Sequence, residues 1–514
     1  MATDLPIYLL VALLLVIPAI LFFATRRSAP SRGGRPPPGP WALPVIGHLH
    51  HLAGSGLPHR ALRDLSRRHG PLMMLRFGEI PVAVASSPDA ARELMKTNDA
   101  AFASRPVGPV TRLWYQPGTE GVIFAPYGEG WRRLRKICAL ELLSARRVQS
   151  FSPVRADELG RLLRSVASAA AAASPVNLTE RVSAFVADST VRAIIGSQFK
   201  QRDLYLQMMR EGVKVLPGMS LPELFPSSRL AMLLSRVPGP LKRQRRRMLR
   251  FIDTIIHEHR QTSTPPTKVA GEEDEDLLDV LLRLQKEADS QYPLTTENIK
   301  MTMLDLFAAG SETSSTTLLW AMSELMRNPR ALHKAQDEVR QAHAAAGHPK
   351  VEEGLLPNLH YLQLVIKETF RLHPPVPLLL PRECGSPCQV LGFDIPQGTM
   401  VIVNAWAIGR DPAHWDQPDE FLPERFEGSA VGFKGFDFEL IPFGAGRRMC
   451  PGMAFGLAQI ELALAALLFH FDWELPGGMA AEALDMAEAF GITAQRRSDL
   501  LVVAVPRIPV PTYY

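Results

Sequence analysis

Phe443-Gly444-Ala445-Gly446-Arg447-Arg448-Met449-Cys450-Pro451-Gly452 is the stretch that decides how this chain folds. A single cysteine stands in a run of glycine, alanine and arginine, and the apolar segment from Gly452 to Phe471 has the length of a helix. Gly446 and Gly452 supply permissive backbone, so main chain can approach a large flat group closely. Pro451 suits the first position of the helix that follows. Cys450 then sits at that helix's N-terminus, where the dipole favours an anionic sulfur. Nearby amides can donate to the sulfur and tune whatever it ligates. The stretch reads as a thiolate held ready for a metal centre.

Upstream, Met303 to Trp320 reads MLDLFAAGSETSSTTLLW. Leu304, Phe307 and Ala308 fall on roughly one face of a helix. Gly310 costs about 1 kcal/mol relative to alanine in a helix interior. Ser311, Thr313, Ser314, Ser315, Thr316 and Thr317 compete for backbone hydrogen bonds, so the helix can open a groove in its middle. Glu312 beside Thr313 places a carboxylate next to a hydroxyl, a pair able to relay protons. Taken alone, the stretch equally fits a solvated Ser/Thr-rich helix. Farther on, Glu368 and Arg371 share one helix face, and Pro374 and Pro375 end that helix. An exposed pair of this kind contributes only about 0.2–0.5 kcal/mol.

Around these segments the pattern is mainly α with a small β-sheet region. Strand candidates lie at Leu72–Phe77 and Val82–Ala85, separated by a Gly-Glu-Ile-Pro turn. Helical periodicity dominates from Asp89, including Arg155–Ala173, and continues through Leu372. A mixed turn-and-strand region runs from Pro374 to about Val403, and a long loop from Asp411 to Ala445. The polar stretch Thr262–Asp276 reads as a mobile surface loop. Hydrophobic residues make up 46% and charged residues 21% of 514, which is ordinary for a globular protein. Arg243, Arg245, Arg246 and Arg247 cluster, as do Arg132, Arg133, Arg135 and Lys136. With no nucleic-acid motif, an acidic protein partner or anionic lipid explains them better than nucleic acid does. Four cysteines in this length do not make a disulfide scaffold. Cys384 and Cys388 lack a second ligand pair at zinc spacing and read as ordinary thiols.

The N-terminus carries a targeting signal. Leu5 to Ala24 is uncharged and long enough to cross a bilayer core of about 30 Å as a helix. Arg26, Arg27, Arg32 and Arg35 follow it, which keeps that flank cytosolic. Pro36-Pro37-Pro38-Gly39-Pro40 then forms a stiff spacer. The organisation read from this is a membrane anchor over residues 1–25, a basic flank and proline-rich hinge over 26–45, and a catalytic domain over 46–514. The sequon at Asn177 faces the cytosol on this reading and stays unglycosylated.

The cysteine loop resembles the Phe-x-x-Gly-x-Arg-x-Cys-x-Gly signature of the cytochrome P-450 superfamily at every fixed position. Ala309-Gly310-Ser311-Glu312-Thr313-Ser314 resembles the central-helix motif of that superfamily. Glu368-Thr369-Phe370-Arg371 and Pro423-Glu424-Arg425-Phe426 resemble two more of its segments, and all occur in the expected order. The hinge and the loop are similar to those of the plant A-type microsomal branch. Pro71-Leu72-Met73-Met74-Leu75 and Glu141-Leu142-Leu143-Ser144 are similar to grass enzymes that oxidise sesquiterpene or diterpene hydrocarbons. The resemblance implies the haem-thiolate cytochrome P-450 fold with an N-terminal transmembrane helix. It implies haem b (iron protoporphyrin IX) with Cys450 as axial ligand to the iron. Trp131, Arg135, Arg382 and Arg448 would meet the haem propionates, Phe443 would shield the sulfur, and Gly452 would complete the cradle. Glu312 and Thr313 would deliver protons to dioxygen, and Glu368, Arg371 and Arg425 would form a buried structural triad. Leu304, Phe307, Ala308, Val376, Leu380 and Phe490 would line the substrate pocket.

The activity implied is NADPH- and O2-dependent oxygen insertion into a small lipophilic plant metabolite, foremost a terpenoid. The partners implied are NADPH–cytochrome P-450 reductase and cytochrome b5, at the endoplasmic reticulum membrane with the catalytic domain cytosolic. The alternatives are an indole, phenolic or oxime-derived substrate, a haem-thiolate isomerase or dehydratase working without reductase, and a non-catalytic haem electron carrier or sensor. Isomerases and dehydratases of this kind tend to lack the acid–threonine pair, which this chain keeps.

Overall fold

The computed structural model describes residues 34–514 apart from 55, 117, 120, 197–203, 205–206, 209–219, 263–274, 288–293 and 490. The expected anchor over 1–25, most of the basic flank, Phe490 and most of the Thr262–Asp276 loop therefore lie outside the described residues.

The helices that matter for the site are α1 (Glu129–Ile137), α2 (Ser152–Ala171), α3 (Leu178–Ile195), α4 (Pro238–Thr262), α5 (Thr296–Arg327), α6 (Pro329–Ala346), α7 (His360–Leu372) and α8 (Met453–His470). The strands are β1 (Leu72–Phe77), β2 (Ile80–Ala85), β3 (Val176–Asn177), β4 (Arg382–Glu383), β5 (Cys388–Val390), β6 (Phe393–Ile395), β7 (Met400–Val403), β8 (Phe471–Glu474) and β9 (Leu501–Pro506). The mainly α reading with a small β portion is what the structure has.

α5 starts firmly because Thr295 and Asn298 exchange side-chain and backbone bonds in a capping box. Asn177, the sequon residue, caps α3 by accepting from the Glu180 amide. α3, α5 and α8 pack together, and Leu163, Val186, Met322 and Leu467 lie in one buried cluster with them. Among the described residues α8 is the one helix long and apolar enough to span a membrane, but 67% of it is buried. Its apolarity on all sides is that of a core helix.

The four-stranded sheet runs β1-β2-β7-β4. β2 and β7 are parallel, with Val82 opposite Met400, and the other pairs are antiparallel. The turn after β1 is shorter than the sequence suggested: Ile80 and Pro81 already belong to β2. Pro81 is tolerated because it stands before the parallel pairing begins at Val82, where no amide is demanded of it. β4 lies at the sheet edge and carries Arg382, and a bridge from Ser104 to Glu383 fastens the preceding loop beside it.

Candidate active site

The cysteine loop is built on two glycines with positive φ, Gly444 at 67° and Gly446 at 68°. At Gly446 a Cβ would run into the Met95 carbonyl and press on Asp99 at 2.8 Å, so only glycine fits there. The Cys450 amide donates to the Phe443 carbonyl at 2.9 Å and closes the loop. The Phe443 ring meets Phe370 of α7 edge-on at 5.0 Å. The helix after the cysteine starts later than expected. Met453 is its first residue and Gly452 its N-cap, so Pro451 precedes the helix instead of opening it. The sulfur lies just before the helix, and two groups favour its anionic form, one of them the amide of the N-cap itself. Enclosure by protein pushes the Cys450 thiol up, while the Gly452 amide and the nearby Arg135 guanidinium pull it down. Cys450 keeps accessible surface despite that enclosure.

Four arginines face one another beside this loop. Arg448 donates to the Ala103 carbonyl at 2.6 Å and lies over the Trp131 ring at 4.2 Å. Burial, with Arg382 and Arg135 close by, brings its pKa down to about 9. Arg382 reaches the Ala445 carbonyl at 2.7 Å and Asp99 at 3.1 Å. Arg105, which the sequence reading passed over, donates to the carbonyls of Leu380 and Pro381 at 2.6 and 2.9 Å. Burial lowers its pKa, and Arg382, Arg448 and Arg135 lower it further. The Trp131 indole donates to the Val122 carbonyl at 3.0 Å, so it supports the loop under Arg448. Asp99 is the acid in contact with this group, and it is shared with Arg447 at 3.0 Å. Several buried guanidiniums with one shared carboxylate call for a further anion. A haem, whose two propionates are anionic, fits this donor set, and Cys450 would be the residue to hold its iron.

The expected triad is assembled. Arg371 makes a two-pronged pair with Glu368, both bonds 2.7 Å, and both side chains are fully buried. Arg425 reaches the same carboxylate at 2.9 Å. The remaining donors of Arg371 go to the carbonyls of Gly409, Pro418 and Glu420. The Leu422 amide also donates to Glu368, at 2.8 Å.

α5 is continuous across Gly310, so the expected opening there is not a break. The hydroxyls instead bond one turn back: Thr313 to the Ala309 carbonyl at 2.8 Å, Ser315 to Ser311 and Thr317 to Thr313. Gly310 has a packing reason, because a Cβ there would meet Thr190 of α3 at 3.1 Å. Glu312 and Thr313 do not bond each other. Glu312 accepts from Thr493 at 2.6 Å and Gln495 at 2.5 Å. Leu304 and Phe307 are buried in a cluster with Val110, Trp114, Val122 and Phe455. Ala308, Val376 and Leu380 are partly buried.

Asp305, also passed over, is buried in α5 among these apolar groups. It accepts from the Ile123 amide at 2.9 Å and the Tyr115 hydroxyl at 3.4 Å, tying the 115–123 segment to α5. Burial raises its pKa to about 7. The fold therefore holds a proton on Asp305 that the unfolded chain releases near pH 4, so stability falls as pH rises from about 4 to 7. Asp305→Asn keeps an acceptor for Ile123 and removes this dependence. The loss of Tm between pH 5 and pH 7 should be smaller in the variant than in the parent chain. Equal losses in the two proteins would contradict the assignment.

A family model described as Cytochrome P450 matches residues 36–498. Desmethyl-deoxy-podophyllotoxin synthase of Sinopodophyllum hexandrum is 46% identical, over 96% of this chain and 95% of its own length. Premnaspirodiene oxygenase of Hyoscyamus muticus is 45% identical, over 97% of this chain and 98% of its own. A zebra fish cytochrome P450 solved with progesterone superposes with a TM-score of 0.72 at 26% identity, covering 88% of this chain and 99% of that one.

Proposed function

The chain belongs to the cytochrome P450 family and is a haem-dependent monooxygenase, and we propose that it oxidises a terpenoid hydrocarbon with Cys450 as the thiolate ligand of the iron. The observation that carries the ligand assignment is Cys450 in its glycine-built loop beside the arginine cluster. Haem bound through a cysteine thiolate uses dioxygen and two electrons, drawn from NADPH through a redox partner, to place one oxygen atom in a C–H or C=C bond and release the other as water.

The residues divide that work. The Gly452 amide donates to the Cys450 sulfur and sets how strongly it holds negative charge. Arg105, Arg135, Arg382 and Arg448 receive the propionates. Glu312 and Thr313 hold and pass protons on the substrate side. Leu304, Phe307, Ala308, Val376 and Leu380 present apolar surface, which suits a lipophilic substrate. Phe490 joins them on this reading. A terpenoid is favoured because relatives at about 45% identity include terpenoid-oxidising plant enzymes. The Sinopodophyllum relative, a synthase with a different product, supports the second reading, a phenolic or other specialised metabolite.

Co-expression with a plant NADPH–cytochrome P-450 reductase and feeding of terpenes, indoles and phenolics tests the substrate. NADPH- and O2-dependent gain of one oxygen by a terpene is expected. Untouched terpenes alongside a hydroxylated indole or phenolic would overturn the terpenoid reading, and turnover without NADPH would point to an isomerase or dehydratase. Cytochrome b5 is proposed as a second electron donor.

Membrane attachment is proposed through Leu5–Ala24 at the endoplasmic reticulum, with the body cytosolic. A second apolar surface supports it. Trp41 is 66% exposed just after the proline hinge, and Leu233 is 80% exposed, with Leu230 and Leu234 beside it on the helix Arg229–Leu234. The chain segments that carry them are both bonded to the turn after β1, where Gly78 donates to the Ile46 carbonyl and Glu79 to the Leu224 carbonyl. In protein lacking residues 1–25, serine at positions 230, 233 and 234 should reduce binding to phospholipid vesicles several-fold in a flotation assay. Undiminished flotation would contradict this face.

A further inference from the structure

Glu312 is held from outside its own helix. The Thr493 hydroxyl donates to Oε1 at 2.6 Å and the Gln495 amide donates to the same Oε1 at 2.5 Å. No bond to Oε2 is present among the described residues. The segment that supplies the two donors is itself laced to α5 and to the pocket wall. The Ala494 amide donates to the Pro375 carbonyl at 2.9 Å, and the Ala494 carbonyl accepts from the Trp320 indole at 2.7 Å. Arg496 donates to Ser323 at 2.9 Å. Ala489 donates to the Gln495 carbonyl, and Glu488 pairs with Arg496 in an isolated bridge, so Glu488–Ala489 and Gln495–Arg496 pair as the two arms of one hairpin.

We propose that Thr493 and Gln495 are positioning residues for proton delivery, clamping Oε1 of Glu312 so that Oε2 faces the reacting oxygen. The idea rests on the acid–threonine reading given above and adds the groups that orient the acid. A glutamate on a helix has several staggered rotamers open to it, and proton transfer needs one of them. Two donors on a single oxygen select that rotamer and leave the lone pairs of the other oxygen unshared. The proton that Oε2 passes on is replaced from solvent, so the carboxyl is unchanged after each cycle. The hairpin also joins the pocket wall at Pro375, next to Val376. The groups that contact the substrate and the group that moves the proton thus share one frame. A substrate that displaces the frame turns Glu312 away, and electrons from NADPH are then lost to hydrogen peroxide instead of reaching product.

The test compares the full-length haem-loaded enzyme with Thr493→Val/Gln495→Leu, Thr493→Ser and Glu312→Gln. A positioned acid contributes about 10²–10⁴-fold, so partial loss of orientation should lower product formed per NADPH about 10-fold in the double variant. Peroxide should rise in step, and the solvent deuterium isotope effect on product formation should change. The substrate dissociation constant, read from the optical shift on binding, should move less than about 2-fold, since apolar contacts carry the binding. Thr493→Ser keeps the hydroxyl and should restore coupling. Adding Glu312→Gln to the double variant should cost little more than either change alone, because both remove one function. A readout independent of turnover is amide exchange over residues 488–496, which should speed up in Glu312→Ala, where the acceptor of both donors is gone. Normal coupling in the double variant with impaired Glu312→Gln overturns the clamp alone. Additive losses, or unchanged exchange, overturn it as well. Normal coupling in Glu312→Gln itself overturns the acid–threonine reading and the clamp with it.

Discussion

Glu368→Ala is expected to lower the stability of the whole haem-side half of the molecule by about 3–5 kcal/mol, the usual cost of stranding a buried charge. Glu368 and Arg371 are fully buried, and the carboxylate takes both prongs of Arg371, the Nε of Arg425 and the Leu422 amide. Removal leaves two guanidiniums without an anion and one amide without an acceptor. Total stabilities of native domains are about 5–15 kcal/mol, so the loss is a large fraction of what there is. α7 also carries Phe370, against which Phe443 of the cysteine loop packs. Disorder at the triad should therefore reach the thiolate. The measurement is a thermal melt together with haem content after expression: Tm should drop by roughly 3–5 °C, with haem occupancy falling beside it. Glu368→Gln retains one acceptor and should fall between. A melt of the alanine variant within about 1 °C of the parent would contradict the structural role, because about 1 kcal/mol already moves Tm by about that much in a chain this long.

Cys450→Ala should abolish oxygenation, with a rate loss of at least about 10³-fold, the scale on which single electrostatic stabilisers act in enzymes. The surrounding scaffold should survive. The loop is closed by the Cys450 amide to the Phe443 carbonyl, a backbone bond that alanine keeps. The arginine cluster makes no demand on the sulfur except through Arg135, which lies close enough to feel its charge. The variant is therefore expected to fold with nearly unchanged melting in the haem-free state and to bind haem more weakly. Product formation equal to the parent's would remove Cys450 from the chemistry. Collapse of the haem-free fold would show instead that the cysteine is a core residue.

The two outcomes differ in how readily the sequence foretold them. The cysteine loop is legible because its turn is set within ten residues: Gly444 and Gly446 hold positive φ and the Cys450 amide closes back on the Phe443 carbonyl. The helix starts one to two residues later than expected because Pro451 followed by an apolar run looks like a first turn, whereas Gly452 is the cap and Met453 opens the helix. Glu368 and Arg371 were visible as a helix-spaced pair, but their burial was not. It arises from Arg425 and from carbonyls of the long loop, which no spacing rule connects to α7. Arg105, Thr493 and Gln495 left no periodic signal at all, since each acts across a large sequence separation on a partner chosen by the fold. Asp305 did leave one. A carboxylate inside an apolar stretch must find donors or a proton, and Asp305 stands between Leu304 and Phe307 in just such a stretch.

X-ray absorption at the iron edge, taken on the haem-loaded parent and on Cys450→His, tests the central claim most directly. A sulfur neighbour on iron is predicted in the parent and none in the histidine variant. An iron site with no sulfur in the parent, or one that keeps its sulfur after Cys450 is replaced, would contradict it.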